Sequence, residues 1–329
     1  MNSLKSKVIS DADMKVLPSD VVSLLSDVAE LHLGLLPDEK FSNEVVDAQA
    51  ILLDSKKIDE RILKKATRLR IIARNGVGYD DVDVEACTRH GVYVTITPGV
   101  LSDAVADLTV AFMLCLSRDL VEADRYSRVN WASEGELQRL GFDLKSKVCG
   151  IIGLGRIGFE VAKRVHAFGM RILYYDMFRN KQAESQFGAT FAELDRVLKE
   201  SDYVTLHVFL GEKTRGMIGR RELSLMKNTA YIVNTSRGAV IDQSALVEFL
   251  RTNRIAGAGL DVFEREPIPS DDPILKLDNV ILAPHIGSAT VETRRAMALT
   301  AANDILAVLK GEVPSNPVPE QKGKVFLKK

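Results

Sequence analysis

The chain is predicted to be an α/β protein of two doubly wound parallel-sheet domains, and three observations predict it. Short apolar or β-branched runs alternate with helical patterns along its length, the mark of parallel strands joined by crossover helices. A glycine-rich turn, Gly153-Leu-Gly-Arg-Ile-Gly158, lies between an early and a late set of strands. The 329 residues also exceed the ~250–300 at which a single core stops growing.

Taken in order, the early strands are residues 49–53, 70–74 and 92–96, with a helix over 59–66. A second helix covers 103–119, and Ser102 can cap its N-terminus. Val105, Leu108, Val110, Phe112, Met113, Leu114 and Leu116 leave it almost no polar face, so it should be buried. The late strands are 148–153, 171–175, 203–208, 230–234, 257–262 and 280–283, with a helix over 159–168 after the first. Residues 320–329 read as a disordered tail.

Charge excludes two classes of partner. Forty-four basic residues against 45 acidic give a net charge of −1, with no electrostatic footprint for nucleic acid or an anionic membrane. The longest apolar stretches, such as 108–116, fall far short of the ~18–20 residues that span a bilayer. The first residues lack the apolar core of a secretion signal. Cys87, Cys115 and Cys149 are odd in number and form no CxxC pair, so reduced thiols in a cytoplasmic protein are expected, with no metal site.

The glycine turn carries the chemistry. It follows a strand, opens a helix, and precedes an acid, Asp176, that ends the next strand about 20 residues on. Gly153 permits the tight turn, Gly155 lets the backbone approach a pyrophosphate, and Gly158 lets helix pack on strand. The helix N-terminus adds unpaired amides and a partial positive charge. At Asp176 a carboxylate accepts hydrogen bonds from the ribose and repels a 2′-phosphate, so NAD is expected over NADP. Arg179, three residues on, could accommodate that phosphate.

Ligands of an open α/β sheet gather outside the carboxyl ends of its strands. Those ends carry His207, the Ser236-Arg237-Gly238 run, Asp261 and the His285-Ile286-Gly287 run, with Glu266 between the last two. Reducing a 2-oxo acid requires a cation for the carboxylate and carbonyl, an acid for the developing alkoxide, and a carboxylate that orients the acid. Arg237, His285 and Glu266 are of these types and fall at that edge.

These residues resemble the D-2-hydroxyacid dehydrogenase family, and look closest to its glyoxylate/hydroxypyruvate reductase branch. The resemblance runs from about residue 49 to 317. It rests on Asn75-Gly-Val-Gly-Tyr-Asp80, Thr97-Pro-Gly-Val-Leu101, Gly153–Gly158, Asn234-Thr-Ser-Arg-Gly238, Ala258-Gly-Leu-Asp-Val-Phe263, Glu266-Pro267 and Pro284-His-Ile-Gly-Ser-Ala-Thr290. It implies Arg237, Glu266 and His285 as the catalytic set, with His285 the proton donor. Cofactor contacts are implied at Gly153, Gly155, Arg156, Ile157, Gly158, Asp176, His207, Thr235, Asp261 and Gly287. Substrate contacts are implied at Val77, Gly78, Arg237 and Ser288, the first two forming an anion nest. The implied fold inserts a Rossmann NAD-binding domain, residues 102–290, into a flavodoxin-like substrate domain of residues 1–101 plus 291–329. A homodimer acting on a small 2-oxo acid, glyoxylate or hydroxypyruvate, is expected. The nearest alternative is a short-form D-3-phosphoglycerate dehydrogenase, with Lys56 and Lys57 for the phosphate. A dinucleotide-sensing co-repressor on the same fold, with long disordered tails, is more distant.

Overall fold

The computed structural model describes residues 5–11, 17–34, 37–136 and 140–326. The chain divides into two units, Met1–Leu101 with Ala289–Lys329, and Ser102–Ser288.

Five strands build the sheet of the first unit: β1 (Ser6–Ser10), β2 (Ala29–Leu33), β3 (Ala50–Leu53), β4 (Ile71–Arg74) and β5 (Tyr93–Thr95). All are parallel, in the order β2-β1-β3-β4-β5. That is the flavodoxin-like order, wound on both faces. Side-chain alternation separates the two cores. Ile9, Ile51, Leu53, Ile72 and Val94 pack with Phe41, Leu63 and Cys87. On the other face Val8, Leu52, Ile71, Ala73 and Tyr93 pack with Val21, Leu25 and with Ala298, Ala302 and Ile305 of the helix Val291–Leu309. A helix from the far end of the chain therefore closes one face of the N-terminal sheet.

Sequence reading finds β3 to β5 and misses β1 and β2. Ser6, Lys7 and Ser10 break the apolar run of β1, and β2 is an edge strand in which only Ala29 is buried. The expected tail disorder is also corrected, as far as residue 326. Gln321 is fully buried; its Oε1 accepts the Val94 N–H at 2.7 Å and its Nε2 donates to the Val92 carbonyl at 3.0 Å. Phe326 then packs its ring on Tyr93, centroids 4.9 Å apart. Residues 327–329 lie outside the described residues.

Seven parallel strands build the second unit: β6 (Val148–Ile152), β7 (Arg171–Tyr175), β8 (Thr190–Phe191), β9 (Tyr203–Leu206), β10 (Tyr231–Asn234), β11 (Gly257–Leu260) and β12 (Val280–Leu282). Their order, β12-β11-β10-β9-β6-β7-β8, is the Rossmann arrangement with one strand added. The strand order reverses between β6 and β9, which places a ligand crevice at their carboxyl ends. Fully buried strands such as β6 read as unbroken apolar runs for that reason. The two-residue β8 is too short for any periodicity to reveal.

The apolar helix spans Ser102–Arg118, with Ser102 its first residue rather than its cap. It packs on the helix Arg156–Ala167 and on β10 and β11. Gly259 makes room for it, since a Cβ there would lie 2.8 Å from the Phe112 Cβ. Among the described residues no helix is long and apolar enough to cross a membrane.

Candidate active site

The glycine turn joins β6 to the helix Arg156–Ala167, which begins earlier than periodicity implied. Gly153 has φ +93°, and a Cβ there would lie 2.7 Å from the His207 carbonyl oxygen. At Gly158 a Cβ would lie 2.2 Å from the Gly153 oxygen, so the helix could not sit so close to the strand. Gly155 differs: a Cβ there would meet nothing within 4 Å. Its open side stands beside a helix start that no side chain caps. Room for a pyrophosphate and unpaired amides to receive it therefore coincide, and the residues fit a dinucleotide. Arg156 and Ile157 form the first turn of that helix.

Asp176 follows β7 and clasps the turn. Its Oδ2 accepts the Leu154 N–H at 2.7 Å, and its Oδ1 accepts the Met177 N–H at 2.6 Å. Asn180 donates through Nδ2 to the Leu154 carbonyl at 2.9 Å, so both ends of the Leu154 residue are held. The Arg179 guanidinium is already engaged by Glu184, through Nε at 2.9 Å and a terminal nitrogen at 3.0 Å. Tyr174 supports Glu184 with its hydroxyl at 2.6 Å. A 2′-phosphate would have to compete with this fork. His207 follows β9 with both ring nitrogens buried and, among the described residues, without a hydrogen-bond partner. Burial pushes its imidazole down to about 3, so it stands neutral at physiological pH.

Beyond β10 the chain turns on Asn234. Its Oδ1 accepts from the Ser236 amide and hydroxyl, and its Nδ2 donates to the Arg237 carbonyl at 2.9 Å. This Asx turn shapes the loop that carries Arg237, a role sequence reading missed although Asn is a common turn former. Gly238 lets that loop press against the next, because a Cβ there would lie 1.8 Å from the Phe263 carbonyl carbon. Phe263 in turn donates its N–H to Glu266 Oε1 at 2.9 Å. Glu266 Oε2 sits 2.7 Å from His285 Nδ1. Burial raises the Glu266 carboxyl, but the His285 ring, the Phe263 amide and the nearby Arg237 charge outweigh it and hold the group below its ordinary value.

His285 itself has φ +55°, in the left-handed region that a non-glycine residue enters at a cost of about 1–3 kcal/mol. Asp261, 1% exposed, holds it there. The Asp261 carbonyl accepts the His285 N–H at 2.9 Å. Its carboxylate accepts the Ile286 and Gly287 N–H groups at 2.7 and 2.8 Å. Burial nevertheless raises the Asp261 carboxyl above its usual range. Strain of this kind persists only where surrounding bonds over-determine it, and it gathers at functional sites.

The remaining expected residues lie in other settings. The Thr235 hydroxyl is buried 2.9 Å from that of Thr109, on the helix Ser102–Arg118. Ser288 is the last residue of the second unit. Val77 and Gly78 belong to the first unit, just past β4, and among the described residues neither N–H has a protein acceptor. Lys56, the candidate phosphate cation, is paired with Asp38.

Comparison with known proteins gives a consistent picture. Residues 110–287 match the model of the family "D-isomer specific 2-hydroxyacid dehydrogenase, NAD binding domain". The chain is 50% identical over 273 residues to a glyoxylate reductase of Korarchaeum cryptofilum, covering 82% of this chain and 81% of that protein. A crystal structure of a glyoxylate reductase from Paecilomyes thermophila superposes with a TM-score of 0.87 at 33% identity, covering 97% of this chain and 99% of that one. A D-lactate dehydrogenase from Aquifex aeolicus, solved with NAD and lactic acid, gives a TM-score of 0.87 at 31% identity, covering 95% and 99%.

Proposed function

This chain belongs to the D-isomer specific 2-hydroxyacid dehydrogenase family, and from that premise we propose that it reduces a small 2-oxo acid with NADH, glyoxylate first and hydroxypyruvate next. The observation that carries the reading is the 2.7 Å contact of Glu266 with His285 Nδ1 at the carboxyl edge of the sheet. When bound, the reduced nicotinamide supplies the hydride that reaches the carbonyl carbon. The glycine turn, Asp176, His207 and Asp261 would hold that dinucleotide.

The residues of the chain do the rest. Because Glu266 occupies Nδ1, the ring presents Nε2 to the substrate, and from there His285 gives its proton to the developing alkoxide. Arg237 grips the carboxylate and carbonyl with its planar fork. In the first unit the amides of Val77 and Gly78, without a protein acceptor among the described residues, form an anion nest that suits a carboxylate. Asp261 keeps the His285–Gly287 turn rigid, so the donor is set before substrate arrives. Lys56 is held by Asp38, so a phosphorylated substrate would have to compete for it.

Turnover of glyoxylate, hydroxypyruvate and a wider 2-oxo acid panel, followed at the NADH absorbance, tests the reading; no turnover of any of them would overturn it. Cofactor choice is a separate prediction. NADH should exceed NADPH in kcat/KM, since Asp176 repels a 2′-phosphate and Arg179 is committed to Glu184. Asp176→Ser should narrow that ratio by about tenfold or more, a change worth ~1.4 kcal/mol. A wild-type preference for NADPH would refute the assignment.

A homodimer in the cytoplasm completes the proposal. Leu120, Val121, Val129, Trp131 and Phe142 are exposed in the segment around 120–142, and a second copy would cover them. Light scattering should give twice the 36.3 kDa chain mass. Burial pushes the Cys87 and Cys149 thiols up to about 12, so both stay protonated and inert.

A further inference from the structure

Asp11 is a buried carboxylate that none of the chemistry above uses. It follows β1 and is 1% exposed. Both of its oxygens are engaged by one distant loop. Oδ1 accepts the Asp54 N–H at 2.6 Å, and Oδ2 accepts the Ser55 and Lys56 N–H groups, each at 2.7 Å. The Ser55 hydroxyl adds a bond to Oδ2 at 3.1 Å. Three successive amides on one carboxylate make a charge-assisted clasp, about twice as strong per bond as neutral pairs. β1 and β3 run side by side, with Ser10 opposite Leu52, so the clasp sits at the carboxyl edge of the sheet. Open α/β sheets bind their ligands at that edge.

The contacts continue from the clasped loop. The Arg74 guanidinium, at the end of β4, donates to the Asp54 carbonyl. Through Nε it also donates to the Gly78 carbonyl at 2.9 Å. Gly78 belongs to the segment whose own amides, those of Val77 and Gly78, find no protein acceptor among the described residues. On the opposite side of that segment the Gly76 carbonyl accepts the Thr97 N–H at 2.9 Å. The segment is therefore pinned at both ends while its amides stay available.

We propose that Asp11, acting through the Asp54–Lys56 loop and Arg74, is a positioning residue for the substrate carboxylate. The clasp fixes the Asp54 carbonyl, that carbonyl fixes the Arg74 guanidinium, and the guanidinium sets the Gly78 peptide so that the Val77 and Gly78 amides converge on one anion. The proposal rests on the reading that these amides bind the 2-oxo acid. A purely structural Asp11 would lower stability alone; a positioning Asp11 lowers substrate affinity while the chemistry survives.

Asp11→Asn keeps the size but turns an amino group toward the amides it should accept from. In the full-length protein three quantities are read: KM for glyoxylate, Kd for oxamate (an unreactive 2-oxo acid mimic) and Kd for NADH. KM and the oxamate Kd should rise about tenfold or more, the scale of one lost charged hydrogen bond. The value of kcat should stay within about threefold, and NADH affinity should be unchanged. Arg74→Lys keeps the charge but loses the fork, and should give the same split; it decides the matter if Asp11→Asn does not fold. Wild-type KM and oxamate Kd in a soluble variant would overturn the proposal. A wild-type protein that turns over no 2-oxo acid removes the reading beneath it, and the two failures are thereby told apart.

Discussion

Replacing His285 by glutamine should leave a protein that binds NADH and glyoxylate but reduces the acid with kcat lowered by roughly 10²–10⁴, the usual worth of a general acid. Glutamine can occupy the space and meet Glu266, but its amide gives up no proton at neutral pH. Single-turnover kinetics would separate this loss from any change in binding. An unchanged kcat would mean that another group supplies the proton. The partner acid has its own signature. Glu266 is held below its ordinary value in the fold, so the stability it contributes is fully present above the unfolded value and is lost as pH falls through the depressed one. The stability gap between the wild type and Glu266→Gln should therefore persist near neutrality and vanish in acid, below the ordinary Glu value of about 4.3. Urea melts across that range would show it.

Arg237→Lys should raise KM for the 2-oxo acid and lower kcat together, with NADH affinity nearly unchanged. A guanidinium gives two parallel N–H bonds to a carboxylate, and an ammonium cannot reproduce that plane. In the proposed binding mode the charge also lies where negative charge grows on the carbonyl oxygen, so its effect should be greater in the transition state than in the ground state. The loss in kcat/KM should reach at least ~10²-fold, the scale of removing one oxyanion donor. Lost NADH affinity with an unchanged substrate KM would make Arg237 a cofactor or structural residue instead.

Local features were legible in the sequence and distant pairings were not. The glycine turn announces itself because each glycine answers a steric demand within a few residues: Gly158 backs onto Gly153, and Gly155 stays open. Arg237, Glu266 and His285 could be singled out because strand ends are visible and the crevice rule says which end matters, and the structure brings Glu266 within 2.7 Å of His285. Asp11 could not be found this way. Its acceptors' partners lie 43 to 45 residues downstream, and nothing near Asp11 marks it as buried. Arg179 looked available for a phosphate because its tie to Glu184 depends on how the helix Lys181–Phe187 folds back. β1 and β2 escaped because polar residues interrupt them, and Gln321 because a buried glutamine reads as a surface one until its three partners are seen.

The helix Val291–Leu309 also sets an order of events during synthesis. As the chain leaves the ribosome, β1 to β5 emerge before the second unit, yet the face formed by Val8, Leu52, Ile71, Ala73 and Tyr93, which Val21 and Leu25 cover in part, lacks the rest of its cover until Ala298, Ala302 and Ile305 have been made. Each such side chain left in water forgoes about 1.5–3 kcal/mol for Leu- or Ile-sized groups. The second unit is one uninterrupted stretch, Ser102–Ser288, and can reach its fold while the first still waits. The sheet translated before the second unit is thus completed after it, and a nascent chain stalled before residue 291 would present a partly uncovered apolar face to chaperones.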